Sequence, residues 1–263
     1  MPPHSRNTRL RSVSSSKVCL DNTVVAAFIG EPVQGAGGVI IPPDTYWPAV
    51  QKILDERDVL LVSDEVICGF GRTGQKFGCE HFGTRPDLIS FAKAVTNGYQ
   101  PLGGVAVGSK LAKVLTSTGG EFGHGFTYSG HPSACAAGLA TLSIYNDEQI
   151  TDYVASDIGP YWGQRWAELR EHPIVGEVRT LGMFAAVELV RDKSSRVRLE
   201  EDGKAALVCR DAAVDAGLMV RAVRDAMISA APLVCTREEV DFLISRMTQA
   251  LDHTASHYGL NTV

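Results

Sequence analysis

A chain of 263 residues with 44% hydrophobic and 21% charged residues has the composition of an ordinary globular protein, long enough for one large domain or two moderate ones. A net charge of -5, with no Lys/Arg run in the folded body, argues against a nucleic-acid partner, and no apolar run reaches the length of a membrane span. The six cysteines show no CxxC and no regular spacing, and His81, His124 and His131 are not spaced like ligands on one helix, so the pattern predicts reduced cysteines in an intracellular protein and no metal site.

Residues 1–22 differ from the rest and are expected to form a disordered or atypical tail. The opening "MPPHSRNTRLRSVSSSKVCL" holds no acid, several Arg and Lys, and five Ser. A disordered tail and a mitochondrial transit peptide share that composition, so a cytoplasmic location is expected with a mitochondrial one left open. No apolar core of a secretory signal is present.

From residue 23 strands and helices alternate. "TVVAAFIGEP" is apolar and β-branched up to a Pro turn, which predicts a buried strand. "TYWPAVQKILDERD" has helical spacing through Val50, Ile53 and Leu54. "VLLVSDEV", "DLISFAK" and "GGVAVGS" predict three further strands. Continuous apolar strands separated by helices predict an α/β fold with a parallel or mixed sheet covered on both faces. "PSACAAGLATLSIYND" reads as a long helix opened by Pro.

After about residue 155 the texture becomes α+β. "TLGMFAAVELV", "LMVRAV" and "AMISAAPLV" each read as one strand, and "GKAALVCRDAAVDAG" as a helix. "TREEVDFLISRMTQALDHTASHYG" reads as an amphipathic helix with Thr236 as N-cap and Glu239 completing a capping box. The expected division is therefore 23–155 as part of a large domain and 156–263 as a small one.

Two residues stand where chemistry is done in such folds. Asp64 closes one apolar strand, and Lys93 closes the next. Ligands of open α/β sheets sit beyond the carboxyl ends of strands. Alone, Asp64 could be a helix cap and Lys93 a snorkelling side chain. Together they suit Schiff-base chemistry, because a desolvated amine beside an acid can serve as a neutral nucleophile. Pyridoxal phosphate is the cofactor that needs such a lysine and an acid on its pyridine nitrogen. "GHGFTYSGHPSA" adds a Gly-spaced loop with Thr127 and Ser129 before a helix, a common kind of anion site.

The segments "EPVQGAGGVIIPP", "LLVSDEVICGFGRTG", "FAKAVTNGYQPLGG", "HGFTYSGHPSACAA" and "VRAVRDAMISAAPLV" occur in this order. With them the chain resembles the class III pyridoxal-phosphate-dependent aminotransferases of fold type I. The resemblance implies that Lys93 carries the cofactor as a Schiff base and moves the proton. It implies that Asp64 pairs with the pyridinium nitrogen, that Val66 packs on the ring and that Thr127 binds the phosphate from a neighbouring subunit. A homodimer with its active site at the interface follows. Arg221 matches the arginine that grips a substrate carboxylate, for which its bidentate fork is suited. His131 and "GFGRTG" are expected to be structural.

Ala36 stands where ornithine and GABA aminotransferases carry a Glu facing that arginine. Together with "TYSGHP" and "ELVRDK", this places the resemblance nearest the amine:pyruvate (ω-) transaminases. Complete members carry, ahead of "AAFIGEPVQG", a Gly-Ser phosphate turn and a ring-stacking aromatic. Neither is found here, so the chain is expected to be N-terminally truncated, with an apolar edge and face exposed. An active transaminase, a non-catalytic remnant that still associates, and another fold type I enzyme (an aminomutase, racemase or decarboxylase) all stay open at this point.

Overall fold

A computed structural model describes residues 25–117 and 121–260. The expected tail at 1–22 lies outside the described residues. Contacts divide the chain into two units that are each discontinuous in sequence. One takes up to Pro32, then Pro42–Phe70 and Gln75–Gln149; the other takes Val33–Ile41, Gly71–Gly74 and Ile150 onward.

The first unit is built on a four-stranded sheet in the order β1-β2-β3-β4, with β1 Ala27–Gly30, β2 Leu60–Asp64, β3 Leu88–Phe91 and β4 Gly104–Val107. The first three run parallel, and β4 returns antiparallel to β3. Helix α1 (Tyr46–Arg57) buries Trp47, Val50 and Leu54 against Val59 and Leu61. Each such aliphatic side chain contributes about 2 kcal/mol of burial. The Trp47 indole donates to the Pro32 carbonyl at 3.0 Å, so the large ring sits in the core with its polar atom satisfied. α1 stops at Asp58, whose left-handed backbone (φ 48°) turns the chain into β2.

One expectation fails here. The segment around β1 was predicted to be a buried strand, yet Ile29 is 62% exposed and the strand alternates exposed and half-buried residues. β1 is an edge strand, and nothing among the described residues covers one of its faces. β4, the opposite edge, is likewise exposed at Val105 and Val107. Apolar exposure continues on helices α3 (Ser109–Ser117) and α4 (Pro132–Asp147) at Val114, Leu139 and Ile144. Between β2 and β3 lies a single helical turn, α2 (Gly78–His81).

The second unit is an antiparallel sheet in the order β5-β6-β8-β7: β5 Val175–Leu181, β6 Phe184–Leu189, β7 Arg221–Val223 and β8 Ala226–Ser229. Its helices are α5 (Ile150–Tyr153), α6 (Gly159–Glu168), α7 (Lys204–Asp215) and α8 (Arg237–His257). The expected single strand over "TLGMFAAVELV" is instead the end of β5, a turn and the whole of β6. Gly182, with φ +52°, makes the turn, and Leu181 pairs with Phe184. Only glycine fits: a Cβ would lie 2.3 Å from the Arg72 carbonyl oxygen.

Trp162, Trp166, Phe184 and Met227 fill this core. The Trp162 indole donates to the Phe184 carbonyl at 3.0 Å. The capping box at the start of α8 is present: Thr236 Oγ1 accepts from the Glu239 N–H, and the Glu239 carboxylate accepts from the Thr236 N–H. The "GFGRTG" segment is structural: the Arg72 guanidinium donates to the carbonyls of Met183 and Ala231, at 3.2 and 2.5 Å.

Candidate active site

Asp64 is the last residue of β2 and is half-buried. Its register partner on parallel β3 is Ser90. Asp64 Oδ1 accepts from the Val66 N–H at 3.2 Å and from the Ser90 hydroxyl at 3.3 Å. The first contact is the local turn that a short acidic side chain makes two residues on. It orders Val66, itself half-buried, immediately beyond the strand end.

Lys93 lies three residues beyond Ser90. Ala92 is extended, and Lys93 itself has φ +51°, in the left-handed region that non-glycine residues rarely adopt. A backbone held there costs on the order of 1–3 kcal/mol and tends to mark functional positions. The turn is fixed from below: the Thr96 N–H donates to the Lys93 carbonyl, and the Thr96 hydroxyl, on a buried residue, donates to the Gln100 carbonyl at 2.6 Å. Helix α4 packs its Gly138 against this turn, where a Cβ would lie 2.9 Å from Leu102 Cδ2. The Phe91 ring lies over Gly104, which has no room for a side chain, and meets Phe70 edge-on at 5.9 Å.

Lys93 was expected to be desolvated, and that is corrected: its side chain is exposed in this chain. β3 is half-buried throughout, so the strand beneath the lysine is not sealed. Thr127 is also exposed, in a turn where the Ser129 hydroxyl accepts from the Phe126 N–H at 3.0 Å. His131 precedes α4, its Nδ1 2.9 Å from the Ser133 hydroxyl.

Arg221 begins β7 in the second unit. It is exposed, and no carboxylate among the described residues forms an ion pair with it. Ala36 is exposed too, within a small loop closed by the Gln34–Ile40 bridge. That loop is held by Arg179, which donates to the carbonyls of Gly38 and Val39.

The sequence reading passed over Glu65. It follows Asp64 and has no solvent exposure. Its carboxylate accepts from the Gly78 and Cys79 N–H groups, each at 2.7 Å, and from the Ser63 hydroxyl at 2.9 Å. Burial, together with the neighbouring Glu65 charge, pushes the Cys79 thiol up to about 12, which keeps it protonated and inert.

An acid at the end of β2 and an amine just beyond β3 mark the carboxyl edge of this sheet, and the comparisons with known proteins name the family. A profile described as Aminotransferase class-III matches residues 5–251, and the chain belongs to that family. It is 50% identical over 232 residues to the putrescine–pyruvate aminotransferase of Pseudomonas aeruginosa, across 88% of this chain and 50% of that one. It is 47% identical to the diaminobutyrate–2-oxoglutarate transaminase of Halomonas elongata, across 87% and 50%. Its structure superposes on the (S)-enantioselective ω-transaminase of Thermomicrobium roseum with a TM-score of 0.87 at 44% identity, covering 94% of this chain and 55% of that one. The chain thus spans about half the length of the curated relatives it matches.

Proposed function

We propose that this chain carries the lysine, the acid and the carboxylate-binding arginine of a pyridoxal-phosphate-dependent transaminase, one that moves an amino group from an amine or amino acid to a keto acid such as pyruvate. The observation that carries this reading is the pairing of Asp64 with Ser90 on adjacent parallel strands, with Lys93 three residues beyond in a left-handed turn. An acid and an amine at neighbouring carboxyl ends fit the cofactor's ring nitrogen and aldehyde. Bound there, pyridoxal phosphate supplies the electron sink that lets the carbon bearing the amine lose a proton.

The chain's own residues supply the rest. Asp64, braced by Ser90 and the Val66 N–H, would present its carboxylate to the cofactor's ring nitrogen. Lys93 would hold the cofactor, and its amine would take up and return the substrate's proton as base and acid. Val66 would pack on one face of the cofactor ring, and Thr127 would donate to the phosphate of a neighbouring subunit's cofactor. Arg221 presents a bidentate fork to the acid group of a keto acid or amino acid. Its freedom from ion pairing among the described residues supports that role.

Both named relatives carry in their names a compound with two amino groups, the diamine putrescine in one and the diamino acid diaminobutyrate in the other. We propose a donor of the same kind, with pyruvate as acceptor. A homodimer with Thr127 serving the partner's site is proposed as well. It is supported by the exposed apolar residues of β4, α3 and α4 and by the exposed aromatics Phe126 and Tyr128 flanking Thr127. The domains are proposed as 23–155 and 156–263, with cytoplasm as the compartment, which suits five cysteines that are free among the described residues. No described helix is long and apolar enough to cross a membrane.

The second reading is a remnant that associates without turning over substrate, favoured by the exposure of Lys93 and of the sheet edges. Incubation of the cofactor-treated chain with putrescine and pyruvate separates the two. Alanine formation supports the transaminase; its absence, with the chain folded, leaves the remnant. Conversion of an amino acid such as diaminobutyrate with no keto acid present would point to a racemase, aminomutase or decarboxylase instead.

A further inference from the structure

We propose that Glu65 is a positioning residue that sets the place of Asp64 at the end of β2; this rests on the reading of Asp64 as the acid facing the cofactor's ring nitrogen. A buried carboxylate is costly unless every oxygen is matched by donors. Here Oε2 takes the Gly78 N–H, and Oε1 takes the Cys79 N–H and the Ser63 hydroxyl. All the donors point at the carboxylate, so it serves as an acceptor only.

The backbone of the same residue is held as firmly. The Glu65 N–H donates to the Ser90 carbonyl at 2.9 Å, and the Glu65 carbonyl accepts from the Gly69 N–H at 2.9 Å. Two glycines make room for it. A Cβ on Gly69 would lie 2.9 Å from the Glu65 carbonyl oxygen, and one on Gly78 would lie 3.1 Å from Oε2.

The consequence is geometric. Glu65 bonds β2 backward through Ser63, sideways to β3 at Ser90, and forward to the chain at α2. Asp64 lies between two of those anchors, Ser63 and Glu65, and its own carboxylate reaches the same Ser90. An apolar residue would fill the position at lower cost, whereas a buried acceptor fixes the direction of the turn after Asp64. The acid therefore meets its ligand without having to be ordered first.

The test compares the full chain with E65Q, S63A and D64N. Cofactor affinity is read from the quenching of protein fluorescence by pyridoxal phosphate, and the visible band of the bound cofactor is titrated against pH. In E65Q any amide orientation sets an NH2 group against one of the two backbone donors. The expected result is a cofactor affinity about tenfold weaker. The pH midpoint is also expected to move in the direction that D64N moves it, by a smaller amount.

S63A removes one donor without burying a new one. It is expected to weaken binding about threefold with a smaller shift of the same sign, and it decides the matter if E65Q does not fold. Folded variants with wild-type affinity and an unmoved midpoint overturn the positioning role while D64N still shows its effect. A D64N chain indistinguishable from wild type overturns the reading beneath it, and a wild-type chain that takes up no cofactor overturns both.

Discussion

Asp64 and Ser90 face each other across the parallel β2–β3 pair, and the Ser90 hydroxyl donates to Asp64 Oδ1 at 3.3 Å. A hydrogen bond to a charged group is worth about 1.5–3 kcal/mol when well aligned, and less at this length. S90A is therefore expected to weaken cofactor affinity three- to tenfold with little loss of thermal stability. D64N is expected to weaken it far more. Equilibrium titration with pyridoxal phosphate, beside thermal melts, measures both.

Arg221 offers a planar fork on an exposed strand end with no ion-pair partner among the described residues. If it binds the acceptor's carboxylate, R221A raises KM for pyruvate ten- to a hundredfold. KM for putrescine, which has no carboxylate, should change little. Steady-state kinetics with each substrate varied in turn distinguish this from a general loss of activity.

Gly182 turns β5 into β6 at φ +52°, and a Cβ there would lie 2.3 Å from the Arg72 carbonyl oxygen. That oxygen also accepts from the Met183 N–H at 2.9 Å, so it cannot move aside without breaking a bond. G182A is expected to cost about 3 kcal/mol or more, read as a large fall in melting temperature.

His172 gives the second unit a pH response. Burial pulls its imidazole below the usual value; Asp252 at 3.2 Å opposes this, and Lys193 adds to it. Because the folded-state pKa is lowered, the unfolded chain binds the proton first as pH falls. The contribution is present above about pH 6.5 and is lost on acidification through the folded pKa. Melting temperature should fall less steeply from pH 7 to pH 5 in H172N than in the wild type.

The candidate residues Asp64 and Lys93 stood out in the sequence because they interrupt apolar strands. Asp64 and Lys93 are charges at strand ends, and a polar residue after a continuous apolar run is conspicuous in any sequence. Glu65 was not legible: a second acid beside Asp64 reads as the solvated side of a loop, and only the fold shows the two amides and the hydroxyl that meet it.

The β5–β6 hairpin was read as one strand because its turn, Gly182-Met183, includes a residue that is itself buried, leaving no polar break. The burial of β1 and the desolvation of Lys93 were misjudged for a shared reason. Apolar composition states what a segment can cover, whereas actual exposure depends on what lies against it, and β1 is a sheet edge. The capping box of α8 was readable because it depends only on residues three apart.

The proposed role of Lys93 as the residue that holds the cofactor is open to a direct test. The most direct measurement is borohydride reduction of the purified chain with added pyridoxal phosphate, followed by peptide mass mapping, with K93A in parallel. The expected result is a yellow chain whose single reduced adduct maps to Lys93 and is lost in K93A. An adduct scattered over surface lysines, or one that survives unchanged in K93A, would contradict it.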